Sequence, residues 1–200
     1  MILETERTYL RKIEQSDFSA LCKILQDKEV MYAYEHAFSC EEVQEWLDKQ
    51  LKRYNEDGFG LWAVILTDTN EMIGQCGITM QEYKNKKVPE IGYLFQKAFW
   101  HQGYAAETAV ACKEYAFNVL NIDEVYSIIR DNNITSQNVA KKNGMTIKDE
   151  FVDNNQWMMI SSYPTKHSIT IIGLKKDKYD VFKTYQDSIC KRKDTLSKNG

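Results

Sequence analysis

The stretch Trp100-His101-Gln102-Gly103-Tyr104-Ala105-Ala106-Glu107 constrains the fold more than any other. An apolar run, Ile91-Gly92-Tyr93-Leu94-Phe95, comes before it, and an amphipathic run from Glu107 to Leu120 comes after. The pattern predicts a strand, a tight glycine turn and a helix start. A helix start leaves backbone N–H groups without partners and carries partial positive charge. Glycine at 103 lets a ligand approach the backbone, and the small Ala105 keeps that approach open. In physical terms this is a phosphate cradle. It is not a P-loop, because no Gly-Lys-Ser/Thr follows, and it lacks the G-x-G-x-x-G dinucleotide spacing. Taken alone, an ordinary strand-to-helix turn would read the same way.

The rest of the chain supplies the context. Thr8 to Ile13 alternates and predicts a first strand. Ser16-Asp17 starts a helix that puts Phe18, Leu21, Ile24 and Leu25 on one face. Ser39 and Glu42 form a capping box for a second helix striped by Val43, Trp46, Leu47, Leu51 and Tyr54, and Gly58 closes it. Phe59–Leu66 and Met72–Met80 predict a hairpin around Asp68-Thr69-Asn70, with Gly74 and Gly77 marking a bulge or close packing. A turn at Asn85-Lys86-Lys87 leads to a strand from Glu90 to Phe95. After the glycine loop, Ala106, Ala109, Val110, Ala116, Phe117 and Leu120 fall at helical spacing. A strand at Glu124–Ile129 and a helix at Asn133–Asn143, ended by Gly144, come next. Met145–Val152, Trp157–Ser162 and His167–Leu174 are strand-like, and Tyr179–Lys193 forms a last helix with Phe182, Tyr185 and Ile189 inward.

A second motif lies at Asn133-Ile134-Thr135-Ser136-Gln137-Asn138-Val139-Ala140-Lys141-Lys142-Asn143-Gly144-Met145. It resembles the N-x-x-S-x-x-V-x-x-K-x-G-F/M segment of the GNAT acyltransferase superfamily. The glycine loop resembles that family's acyl-CoA pyrophosphate loop, Q/R-x-x-G-x-G/A, with Trp100, Gly103 and Ala105 in the three slots. Its Trp-x-x-Gly-Tyr-Ala form is similar to the branch with the Rim-type ribosomal-protein N-terminal acetyltransferases and many acetyltransferases of small amines. The resemblance covers roughly residues 5–175. It implies an α/β GNAT fold: a twisted mixed sheet of about seven strands splayed between the fourth and fifth, with about four helices. Residues 1–175 would form that domain, and 176–200 a basic, helical C-terminal tail.

The implied activity is acetyl transfer from acetyl-CoA to a primary amine by direct attack in a ternary complex. The resemblance places pantetheine in the splay, against Tyr93, Leu94 and Phe95 of the fourth strand, with Asn133 binding its amides. Asn133 also reads as a plain turn residue beside Asp131-Asn132. Trp100, His101, Gln102, Gly103, Tyr104 and Ala105 would hold the pyrophosphate. Glu90 is the candidate base, because alkyl amines are mostly protonated at pH 7; as a bare strand-end charge it would look the same. The Leu94 N–H is the expected oxyanion donor. Many relatives carry an acidic Tyr where this chain has Ala140, so Ser136, or a water on it, is the fallback proton donor, unless Ser136 only caps its helix. Tyr32, Tyr34, Glu35 and His36 lie where the family lines its acceptor site.

Composition sets the remaining bounds. The 200 residues suit one domain with a sizeable core, and 43% hydrophobic with 28% charged content reads as globular. No apolar run is long enough for a membrane span, and the N-terminus has no signal h-region. Five dispersed cysteines without C-x-x-C, and three scattered histidines, predict reduced thiols, a cytoplasmic protein and no metal. A G-x-S-x-G elbow is absent, which argues against serine hydrolysis. From Lys175 onward, eight Lys/Arg face four Asp, while the rest holds 18 Lys/Arg against 25 Asp/Glu. The acidic body suits a cationic acceptor, though acidic domains are common without one. The competing expectation is an acyl-CoA-binding module without turnover that engages RNA or a protein through the basic tail. The tail is otherwise expected to pack on the body or across a homodimer. No DNA or membrane partner is expected.

Overall fold

The computed structural model describes residues 1–34, 36–153 and 167–175. Its elements run β1 (Leu3–Glu4), β2 (Thr8–Lys12), α1 (Phe18–Leu25), α2 (Cys40–Glu56), β3 (Leu61–Leu66), β4 (Met72–Tyr83), β5 (Lys86–Phe95), α3 (Tyr104–Asn118), β6 (Glu124–Arg130), α4 (Ile134–Lys142), β7 (Thr146–Asp153) and β8 (His167–Lys175). Short 3-10 turns precede α1, α2 and α3. Glu35, the expected strand at Trp157–Ser162 and the expected tail helix at Tyr179–Lys193 lie outside the described residues.

Local chemistry explains most boundaries. At the start of α2, Ser39 Oγ accepts the Glu42 N–H (3.2 Å) while Glu42 Oε2 accepts the Ser39 N–H (2.7 Å), the reciprocal box expected from sequence. α1 is entered through Asp17, whose carboxylate takes two hydrogen bonds from the Arg11 guanidinium, at 2.6 and 2.8 Å. On its inner face, the Tyr54 hydroxyl of α2 donates to the Leu61 carbonyl at the head of β3.

The strands form one mixed sheet in the order β1-β2-β3-β4-β5-β6-β8-β7. The β3–β4 pairing slips between Val64 and Ile65, opposite Gly74, and this is the bulge that the strand glycines predict. Gly77 reflects the alternative cause, close packing. A Cβ on it would meet the Gly60 carbonyl oxygen at 2.1 Å and the Leu61 Cα at 2.8 Å. Both neighbours are backbone and have nowhere to move. Gly77→Ala is therefore expected to destabilise the protein by about 2–4 kcal/mol in denaturant melts.

Two boundaries differ from expectation. The β4–β5 hairpin turns at Lys84-Asn85, both with positive φ (46° and 62°), rather than at Asn85-Lys86-Lys87. Such a two-residue turn matches the twist of the strands it joins, and both strands extend to meet it. The short β1, pairing through Leu3↔Leu10, was not anticipated. It shifts the count by one, so the expected fourth and fifth strands are β5 and β6.

Helices cover both faces of the sheet. α1 and α2 bury Leu21, Ile24, Leu25, Val43 and Leu47 against Ile13, Ala63 and Ile65. α3 buries Ala109, Cys112, Ala116 and Phe117 on the other face, against Trp62, Cys76 and Ile78. β5 and β6 run parallel but pair only at Glu90↔Tyr126, then diverge. This wedge opens toward the glycine loop.

Candidate active site

The wedge exposes one edge of β5, and the ladder phase determines which groups face it. Antiparallel neighbours exchange hydrogen bonds at every second residue. The two-residue turn pairs Tyr83 with Lys86, and the Gln96 N–H donates to the Ile73 carbonyl (2.9 Å). Even-numbered residues of β5 therefore bond to β4, and odd-numbered residues face β6. The Ile91 carbonyl accordingly accepts from Ser127 Oγ of β6 (3.0 Å), and the Phe95 carbonyl accepts from the Trp100 indole (2.9 Å). Between them, the N–H and C=O of Tyr93 and the N–H of Phe95 face the gap. The expected donor, Leu94, is corrected by this geometry: its N–H points into the β4 ladder opposite Gln75.

Glu90 sits at the fork. Where the next β5–β6 ladder bond would fall, its Oε1 accepts the Ile128 N–H (3.1 Å). Burial pushes this carboxyl above the ordinary carboxylate range, partly offset by the Ile128 N–H and by Arg53. Thr79 Oγ1 lies 3.5 Å from Oε2. The hydroxyl of Tyr34, raised by burial, feels the charges of Glu90, Arg53 and Arg130. The Tyr34 ring meets Phe38 and Trp46 edge-on, each with a centroid separation of 6.2 Å. The Trp46 indole N–H donates to Gln75 Oε1 (3.0 Å), which fixes the orientation of that amide. Gln75 Nε2 is buried with no partner among the described residues.

The glycine loop closes the wedge. His101 and Gly103 both hold positive φ (61° and 88°), and Gly103 is the N-cap of α3. The first i→i−4 bond runs from the Glu107 N–H to the Gly103 carbonyl (3.0 Å). The N–H groups of Tyr104, Ala105 and Ala106 thus begin the helix without partners inside it. A Cβ at Gly103 would meet only Arg7 Nη2, at 3.4 Å, so the backbone there is open to a ligand. The indole N–H of Trp100 ties the loop to the end of β5. Gln102 Nε2 donates to the Ala98 carbonyl (2.8 Å), and the Tyr104 ring packs edge-on against Phe99.

On the far side of the gap, Asn133 caps α4: its Oδ1 accepts the Ser136 N–H (3.0 Å). The same oxygen accepts the Tyr32 hydroxyl (2.6 Å), which joins the α1–α2 connection to α4. The Tyr93 hydroxyl crosses from β5 to the Ser136 carbonyl (2.9 Å). Ala140 is 2% exposed and contributes to the core beneath α4.

Most expected site residues thus converge around the wedge. His36 is turned aside to Glu42 at the α2 start (2.9 Å). Sequence reading missed Arg7, Trp46, Arg53, Gln75 and Thr79. Gln75 alone left a trace, as a polar residue inside the apolar run Met72 to Ile78. A separate open hollow of about 490 Å³, lined in part by Asp57, Phe59, Pro89 and Ile122, lies at the opposite end of β5 and shares no residue with this arrangement.

A mixed sheet opened between two parallel strands, with a glycine-started helix at the mouth of the gap, is the arrangement that the resemblance to the GNAT superfamily implies. The acetyltransferase (GNAT) domain family matches residues 7–146, and the chain belongs to that family. It is 38% identical over 146 residues to the uncharacterized protein YkkB of Bacillus subtilis, covering 72% of this chain and 84% of that one. It is 33% identical over 146 residues to the uncharacterized N-acetyltransferase YnaD of the same organism, covering 72% and 82%. Among solved structures, a GNAT-family acetyltransferase from Bacillus anthracis superposes with a TM-score of 0.73 at 24% identity, over 88% of this chain and 99% of that one. Spermidine N-acetyltransferase from Vibrio cholerae, in complex with CoA and spermine, gives 0.68 at 15% identity over 86% and 98%. RimL, a ribosomal L7/L12 alpha-N-protein acetyltransferase, gives 0.70 at 19% identity over 87% and 93%.

Proposed function

We propose that this protein moves an acetyl group from acetyl-CoA to a primary amine by direct attack in a ternary complex. The observation that carries this reading is the open edge of β5 at Tyr93 and Phe95, running into the Gly103 helix start. An extended chain of amides pairs with such an edge as a peptide would. A diphosphate suits unpartnered N–H groups at a helix start. Asn133 adds an amide whose Oδ1 is already committed, leaving Nδ2 to face a ligand carbonyl. Acetyl-CoA would supply the acyl thioester; no metal is invoked.

The residues then divide the work. A gap-facing N–H, that of Tyr93 or Phe95, takes over from Leu94 as the donor to the acyl oxygen. Glu90 accepts the proton of the incoming ammonium, directly or through water, which its raised affinity for protons favours. Ser136 remains the proton source for the departing thiolate, since Ala140 offers no hydroxyl. Tyr34, Phe38 and Trp46 form an aromatic wall beside Glu90, suited to an amine that is cationic in water. The resemblance to the Rim-type branch leans the acceptor toward a peptide N-terminus, while the loop form itself is shared with acetyltransferases of small amines. The thiols of Cys22, Cys40, Cys76 and Cys112 are free, which fits a reducing cytoplasm, and no described helix is long and apolar enough to cross a membrane.

Thiol release from acetyl-CoA, measured with peptides, polyamines and amino sugars as acceptors, tests the reading. Amine-dependent release is expected, strongest with peptide N-termini. CoA binding without release for any acceptor would instead support the binding module.

A further inference from the structure

The N-terminal segment reaches the glycine loop most extensively through Arg7, which stands between β1 and β2. Its backbone is held on both sides: the Arg7 N–H donates to Glu107 Oε1 (3.0 Å), and the Arg7 carbonyl accepts the Thr67 N–H (3.1 Å). Its Nε and Nη2 both donate to Glu107 Oε2, at 2.8 and 2.6 Å. Nη1 donates to the Gln102 carbonyl (3.0 Å), and the guanidinium lies 4.2 Å from the centre of the Tyr104 ring. A single arginine thus touches the residue before Gly103, the residue after it and the carboxylate of the first helical turn.

These contacts have two consequences for an anion at the loop. In a trans peptide the C=O and the next N–H point in opposite directions. Holding the Gln102 carbonyl toward Arg7 therefore aims the Gly103 N–H away from Arg7. Glu107 is the only acidic residue in the first turn of α3, where its charge would repel a bound phosphate. Arg7 covers that charge with a forked pair of hydrogen bonds. Burial opposes the ionised form of Glu107, yet hydrogen bonds from Thr5 and Arg7 keep it below the usual carboxylate range. The charge is therefore present at neutral pH and must be balanced.

We propose that Arg7 is a positioning residue for the diphosphate cradle, orienting the 102–103 peptide and cancelling the Glu107 charge. It rests on the acetyl-CoA reading above. Arg7 need not touch the reacting atoms, so its effect belongs in donor binding rather than in chemistry.

The test uses two acyl donors with the full-length protein: acetyl-CoA, and S-acetylpantetheine, which lacks the diphosphate. Arg7→Ala is expected to raise the KM for acetyl-CoA roughly 10- to 100-fold, with kcat changed by less than about twofold. The KM for S-acetylpantetheine should not change. Adding Glu107→Gln to Arg7→Ala should recover part of the loss, because the uncovered charge is gone. Arg7→Lys keeps a charge but not the fork, so it should show a smaller loss with the same dependence on donor, and it serves if Arg7→Ala does not fold. Equal losses with both donors, or no loss with either, would overturn the proposal. A parent protein that binds no CoA would remove the cofactor reading as well, whereas normal parent binding with an insensitive Arg7→Ala removes this proposal alone.

Discussion

Glu90→Gln is expected to lower kcat/KM about 10²- to 10³-fold near neutral pH while leaving CoA affinity unchanged, since a positioned general base is worth about 10²–10⁴-fold. The amide can still accept the Ile128 N–H, so the fork between β5 and β6 keeps its geometry. What is lost is the proton acceptor. Without it, attack depends on the small neutral fraction of the amine, which grows with pH. The deficit should therefore shrink steadily as pH rises toward the pKa of the amine. In the parent, activity should fall as pH drops through the raised Glu90 pKa, because the protonated carboxyl accepts nothing.

Stability should move the other way. A carboxyl whose folded pKa is raised holds more protons in the native state than in the unfolded state. Its stability contribution falls as pH rises from the ordinary carboxylate range through the folded value. Above that window the buried charge is a cost, so Glu90→Gln should melt no lower than the parent at neutral pH. A pH–rate profile beside a thermal melt separates the two effects. Equal activity of parent and variant at pH 7 would rule Glu90 out as the base.

How much of this arrangement the sequence discloses depends on how local its cause is. The Ser39–Glu42 box, the bulge opposite Gly74 and the Gly103 helix start all follow from neighbouring residues, and all appear where expected. The Leu94 N–H, expected at the gap, points into the β4 ladder instead, for a traceable reason. Which N–H groups face the gap depends on ladder phase, and the phase is set by the turn at Lys84-Asn85. The polar cluster around Asn85 shows that a turn exists but not its register. Arg7 and Glu107 are 100 positions apart, and nothing adjacent to either announces the other. The Tyr32–Asn133 contact spans 101 positions in the same way. Gln75 could be suspected from its apolar surroundings, yet its partner Trp46 looked like one more member of the α2 stripe.

Gly103→Val should abolish detectable CoA binding while leaving most of the fold in place. At φ 88° a β-branched residue is strained, and its Cβ would stand 3.4 Å from Arg7 Nη2 before its two methyl groups are added. Those methyls fill the space where a diphosphate would meet the backbone. Each charge-assisted hydrogen bond lost there is worth about 1.5–3 kcal/mol, so two or three together lower affinity by at least roughly 100-fold. The cost to the fold is that of one strained surface residue, about 1–3 kcal/mol. Gly103 is exposed at the N-cap of α3 and belongs to neither core cluster, so the buried cores keep their packing.

Calorimetric titration of CoA into the parent and into Gly103→Val tests the central claim most directly, namely that the glycine loop at the end of the β5–β6 wedge is a CoA cradle. The predicted result is saturable one-to-one binding to the parent and no measurable heat with a variant that still melts cooperatively. Binding to Gly103→Val as tight as to the parent, or no binding to the parent, would contradict it.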